Sequence, residues 1–142
     1  MGAFVAHEKS KKTEMKSNRT RICAIIPEPL RICYGILKMR SLIEDGLRLF
    51  SIPYDKESLE KLVSFLEQLL RWSYRINLTG LKDPSLIVRR LLFDTFFLLS
   101  RFEGQSAVDM GSGSGVVAVP TSILKKEATV FSVDSTLKKI QV

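Results

Sequence analysis

The stretch "AVDMGSGSGVVAVP", residues 107–120, places Gly111, Gly113 and Gly115 within five positions, directly after a short apolar run. "SAVDM" reads as a strand and "VVAVPTSILKK" as a helix that starts inside the glycine loop. "ATVFSVD" reads as a second strand, with "STLKKIQV" opening a further element. Strand, glycine loop, helix and strand in that order are half of a doubly wound α/β unit. A strand that turns sharply into a helix presents backbone N–H groups and the positive end of the helix dipole. Glycine belongs there if φ must be positive, or if a ligand has to touch the backbone.

Spacing narrows the ligand. A phosphate-binding loop needs Gly-Lys-Ser/Thr, and no lysine stands in this one, so that design is excluded. The dinucleotide fingerprint is G-x-G-x-x-G, whereas these glycines give G-x-G-x-G, which disfavours a dehydrogenase-like domain. Asp109 precedes them and completes D-x-G-x-G-x-G. Asp134 closes the second strand 23 residues beyond Gly111. A carboxylate at that tip receives a pair of ribose hydroxyls in dinucleotide folds. Alone, a glycine-rich turn is equally a tight loop that binds nothing; with Asp109 before it and Asp134 after it, the pattern favours a nucleoside.

Upstream, residues 41–103 carry helical periodicity. "SLIEDGLRLF" predicts a short helix that stops near "SIPYD". Asp55 is placed to cap "KESLEKLVSFLEQLLRWSYRI", in which Leu59, Leu62, Val63, Leu66, Leu69, Leu70 and Ser73 form one buried stripe. "NLTG" ends that helix, and Asp83 followed by Pro84 signals the next start. Leu86, Ile87, Arg90, Leu91, Asp94 and Leu98 follow at helical spacing, and Phe93, Phe96 and Phe97 add bulk. A packed pair of helices accounts for nearly all of these residues.

Residues 1–40 differ from the rest. Of the net charge of +7, this segment carries +6, so basicity belongs to the extension and not to the patterned part. "MGAFVAHEKSKKTEMKSNRT" is polar and unpatterned. "RICAIIPEPLRICYGILK" is apolar but interrupted by Pro27 and Pro29, which predicts neither a long helix nor a clean strand. Cys23 and Cys33 stand without a CxxC motif, and His7 is the only histidine, so no metal site is expected. No run approaches the roughly 18 apolar residues of a membrane span. The chain reads as a soluble, cytoplasmic protein without membrane contact.

Four blocks give a family resemblance. D-x-G-x-G-x-G resembles motif I of the S-adenosylmethionine-dependent methyltransferases. "LLRWSYRINLTGLKDP", "RRLLFDT", "VDMGSGSG" and "VFSVDSTLKK" together resemble, in order and spacing, the bacterial 16S ribosomal RNA methyltransferase G family, also called glucose-inhibited division protein B. Trp72, Asn77, Leu78 and Thr79 match its first block, and Arg90 and Asp94 its second. Asp109, Gly111, Gly113 and Gly115 match the third, and Asp134, Ser135, Lys138 and Lys139 the last. Departures fall at Ser73, Leu91 and Thr95, where the family has asparagine, histidine and serine. A further one is Val116–Pro120, where the family has Phe/Leu-Pro-Gly-Ile-Pro.

The resemblance implies an α/β fold, with N-terminal helices followed by the first β-α-β portion of a Rossmann-like methyltransferase core at residues 104–142. It implies S-adenosylmethionine as cofactor, held by Asp109, Gly111, Ser112, Gly113, Gly115, Val116, Asp134 and Ser135. Arg90, Lys138 and Lys139 are the expected RNA contacts. The implied reaction is methyl transfer to N7 of a guanine in small-subunit ribosomal RNA, by a monomer. No catalytic acid or base is assigned, because guanine N7 already carries an in-plane lone pair and alignment suffices. The family continues well past the equivalent of Val142, so a truncated, unstable and inactive chain is expected. The alternative is a small RNA- or ribosome-binding helical protein that uses the basic segment 1–40 with Lys125, Lys126, Lys138 and Lys139.

Overall fold

The computed structural model describes residues 28–76, 78–81 and 83–136, with the side chains of residues 28–34, Ile36 and Tyr74 outside that description. The chain divides into two compact units, Met1–Gly35 and Ile36–Val142. Of the first unit, the described part is the opening of helix α1. His7, Cys23, Asn77, Lys138 and Lys139 lie outside the described residues.

Helix α1 spans Glu28–Leu49, so it begins well before the expected start at residue 41. Pro29 does not prevent this. It sits in the first turn, where the missing N–H has no helical acceptor to lose. Met39, Leu42, Ile43 and Leu47 bury one stripe of α1. The helix stops in a reversed turn: Ile52 N–H donates to Leu47 O (2.9 Å) and Ser51 N–H to Arg48 O (3.1 Å). Ser51 takes φ of 55° to make that turn, which is the Schellman arrangement, with Ile52 and Leu47 meeting across it.

Helix α2, Lys56–Ile76, starts as its sequence requires. Asp55 Oδ1 accepts from Ser58 N–H at 2.7 Å. Leu59, Leu62, Val63, Leu66, Leu69 and Ser73 are buried on the expected stripe, and Leu70 is half-buried. The Ser73 hydroxyl lies 3.3 Å from that of Thr79, so the departure from the family pattern at residue 73 is satisfied inside the protein.

Helix α3, Pro84–Ile87, begins at Asp83, whose carboxylate accepts from Ser85 N–H at 2.8 Å. A π turn, Val88–Leu92, follows at once, and helix α4 runs over Phe93–Ser100. The π turn corrects the stripe read from the sequence. It consumes one residue more than an α turn, so the inward positions after Ile87 move from 90, 91, 94 and 98 to 91, 92, 95 and 99. Arg90, Asp94 and Leu98 are exposed, whereas Leu92, Thr95, Phe96 and Leu99 are buried and Leu91 is half-buried against the core.

Strand β1 (Ser106–Met110), helix α5 (Ala118–Leu124) and strand β2 (Thr129–Val133) form the β-α-β unit read from the sequence. The strands pair in parallel, with Ser106 opposite Thr129 and Met110 opposite Val133. Helix α5 is shorter than expected, because residues 113–117 form successive turns before it. One face of this two-stranded sheet leaves Val108, Met110, Phe131 and Val133 exposed. The hydrophobic core lies among the helices, built from α1, α2, the π turn and α4.

Candidate functional site

In an open parallel sheet, ligands bind beyond the carboxyl ends of the strands. Both sequence-predicted acidic positions lie near those ends. Between them runs the loop 111–117, and its three glycines take φ of 78°, 53° and 73°. These are values that residues with a Cβ rarely adopt. A Cβ built on Gly111 would meet nothing within 4 Å, so glycine is demanded there by conformation and the space beyond it is open.

The loop's amides are used internally. Gly111 and Ser112 N–H both donate to Val133 O, at 2.7 and 3.0 Å, and Gly115 N–H donates to Ser112 O at 2.8 Å. Gly113 N–H donates to Asp134 Oδ2 at 2.7 Å, and Thr136 N–H donates to Asp134 Oδ1 at 2.7 Å. Asp109 Oδ2 accepts from Ala118 N–H at 3.1 Å, occupying the first amide of α5. The expectation that this loop offers N–H groups and a helix start to a ligand is therefore corrected at these positions. Their hydrogen bonds fix the shape of the loop, and the loop offers bare backbone.

That backbone forms one wall of a cleft of about 600 Å³, within the size range of small-molecule sites. Ser112, Gly113, Ser114, Gly115, Val119 and Ser132 line one side, and Phe65, Gln68, Leu69, Trp72 and Leu78 the other. Phe65, Gln68, Leu69 and Trp72 are one face of α2 at i, i+3, i+4 and i+7 spacing. This stripe, which shares Leu69 with the core stripe beside it, was the available signal for the opposite wall, and the site residues drawn from sequence did not include it. The Arg75 guanidinium stands 5.2 Å from the centre of the Trp72 ring, within cation–π range.

Of the sequence-predicted residues, Ser112, Gly113 and Gly115 line the cleft. Asp109 and Gly111 shape the loop's near leg. Val116, expected among the cofactor-holding residues, packs against the hydrophobic core, and the valine that lines the cleft is Val119. Asp134 is half-buried at the foot of the loop, Ser135 beside it is exposed, and Arg90 is exposed on the π turn. Thr95 was noted only as a departure from a pattern, yet its hydroxyl donates to Val116 O at 2.8 Å.

A smaller cavity of about 400 Å³ lies at the opposite ends of the strands, lined by residues that include Phe102, Gln105, Leu124, Lys125 and Ala128. The lysines there are engaged. Lys125 Nζ donates to Phe102 O at 3.3 Å, and Lys126 pairs with Asp55 at 2.6 Å. That pairing, first through the hydrogen bond itself, holds the Asp55 carboxyl well below its usual range and raises the Lys126 ammonium. Two of the four lysines named for a simple RNA-binding protein therefore have partners inside the fold.

Among the described residues, no cluster of His, Cys, Asp and Glu is arranged to hold a metal ion, and no helix is long and apolar enough to cross a membrane. No solved structure matches the chain significantly. A protein of Syntrophotalea carbinolica called ribosomal RNA small subunit methyltransferase G is 31% identical over 103 residues, covering 72% of this chain and 48% of that protein. One of the same name from Legionella pneumophila strain Lens is 35% identical over 104 residues, covering 72% of this chain and 48% of that protein. The chain thus spans about half the length of the curated relatives it matches. The family profile described as rRNA small subunit methyltransferase G matches residues 58–142, which hold both walls of the cleft, the glycine loop and both acidic positions. On that match, over more than half of its length, the chain belongs to the rRNA small subunit methyltransferase G family.

Proposed function

We propose that this chain carries the cofactor-binding front of a methyltransferase that modifies N7 of a guanine in small-subunit ribosomal RNA, with S-adenosylmethionine as methyl donor. The observation that carries the reading is the cleft whose one wall is glycine backbone at positive φ and whose other wall is the Phe65–Trp72 face of α2. The residues present fit the cofactor. The cleft has the volume for a nucleoside with an amino-acid tail, and the backbone at Gly111 leaves open space where a side chain would stand. When bound, S-adenosylmethionine supplies a methyl group on a sulfonium leaving group. Asp134 accepts ribose hydroxyls alongside the Gly113 amide, as a carboxylate with about four acceptor positions is able to. Trp72 and Phe65 supply apolar surface for a flat ring.

Guanine N7 needs no proton removed before it attacks, so the work of these residues is alignment and exclusion of water. Arg90, Lys138 and Lys139 attract the RNA backbone. The protein acts in the cytoplasm, with ribosomal RNA as its macromolecular partner. Calorimetric titration with S-adenosylmethionine tests the reading. Saturable binding is expected, weakened about tenfold (about 1.4 kcal/mol) by Asp134→Ala. Binding that is absent, or indifferent to Asp134, contradicts it. Deleting residues 1–38 is expected to leave cofactor affinity unchanged; collapse of RNA affinity together with absent cofactor binding supports the plain RNA-binding alternative.

A further inference from the structure

Thr95 is 1% exposed, on a helix whose other buried side chains are Phe96 and Leu99. A buried helical threonine ordinarily donates to the carbonyl four residues back, and Leu91 O is 3.0 Å away. Its second contact is not local. Val116 O, 21 positions ahead in the chain, is closer at 2.8 Å. One hydroxyl has one proton, so the bond is shared, with its shorter limb toward the glycine loop.

Val116 follows Gly115 directly and begins the loop's descent into α5. The loop's near leg is pinned by the Gly111 and Ser112 amides on Val133 O and by the Gly113 amide on Asp134. Thr95 pins the far leg. The π turn at 88–92 is what brings the hydroxyl there. Counted as an unbroken α helix from Ile87, the inward position would be Asp94, an exposed carboxylate that could donate no proton to a carbonyl.

We propose that Thr95 is a positioning residue for the nucleoside cleft. Its hydroxyl holds Val116, and through it the cleft-facing backbone of Gly113–Gly115, in the shape that admits the ligand, without touching the ligand itself. This rests on the reading of the cleft as the S-adenosylmethionine site. The test compares the full chain with Thr95→Val, which keeps the shape but leaves Val116 O without its donor, and with Thr95→Ser, which keeps the hydroxyl. Hydrogen exchange is followed at loop amides 111–115 and at the α2 amides, and S-adenosylmethionine affinity is followed by calorimetry.

In Thr95→Val, loop exchange is expected to quicken about tenfold with α2 unchanged, and affinity to fall by a similar factor; Thr95→Ser is expected to restore both to within about threefold. Unchanged loop exchange in Thr95→Val overturns the proposal. So does a loss of protection spread equally over α2, or a serine variant that behaves like the valine one. If the unsubstituted chain does not bind S-adenosylmethionine, the functional reading fails, while the exchange comparison still decides whether Thr95 holds the loop.

Discussion

Ser51 and Gly46 show opposite uses of small residues. Ser51 holds φ of 55° at the end of α1, a region where a Cβ costs about 1–2 kcal/mol. Ser51→Gly is therefore expected to stabilise the protein by about 1 kcal/mol, read as a higher urea midpoint with unchanged slope. Gly46 lies within α1, where alanine would ordinarily gain about 1 kcal/mol of helix propensity. A Cβ there would stand 2.6 Å from Phe93 Cε1 and 2.9 Å from Phe96 Cδ2. Overpacking of that kind costs about 1–3 kcal/mol and outweighs the propensity. Gly46→Ala is expected to lower stability by about 1 kcal/mol, and a gain in the same urea experiment would contradict the close packing of α1 on the two rings.

At the scale of elements, the Asp55–Lys126 pair joins the cap of α2 to the turn after α5. Asp55 titrates below its ordinary 3.8, through the Lys126 hydrogen bond first and the Ser58 amide next. A lowered carboxyl contributes stability above its unfolded pKa and loses it as pH falls through the folded value. Lys126 is raised above its ordinary 10.5, so its share is complete below that and fades as pH climbs past it. Both groups are exposed, so the contribution at neutral pH is small. The stability difference between the native chain and Lys126→Met is expected to be level from about pH 5 to 9 and to shrink on both sides of that plateau. Urea unfolding across pH measures it, and a difference that grows in acid would contradict the pairing.

The same scale shows what could be read in advance. The β-α-β order, the parallel pairing and the caps at Asp55 and Asp83 were legible, because periodicity and capping chemistry are local. The early start of α1 was not, since Pro29 reads as a breaker until its first-turn position is known. Nor was the inward stripe after Ile87, because a π turn leaves the composition unchanged while moving each later position by one. In the site, the glycines and both aspartates were legible as a motif. The use of the loop's own amides was not, because it depends on how Val133 and Asp134 register against the loop, and neither was Thr95, whose partner is distant in sequence.

For the whole molecule, the sheet carries an exposed apolar face among the described residues. Val108 stands beside Phe131 and Met110 beside Val133, and all four are about half exposed or more. A two-stranded parallel pair with an apolar face, and with edges that no other described strand pairs, invites association. The chain as described is expected to self-associate with rising concentration, and the double variant Val108→Thr/Phe131→Thr to do so less. Sedimentation velocity checks this: a native chain that stays monomeric at every concentration would show the face to be harmless.

The central claim is that the cleft between the glycine loop and α2 receives S-adenosylmethionine. Amide and indole resonances of the isotopically labelled chain, followed while that nucleoside is added, test it most directly. Saturable shifts confined to Ser112–Gly115, Val119, Asp134 and the Trp72 indole are predicted, with the α1 resonances unmoved. Shifts centred instead on Phe102, Leu124 and Lys125 at the opposite ends of the strands, or no saturable shift at all, would contradict the account.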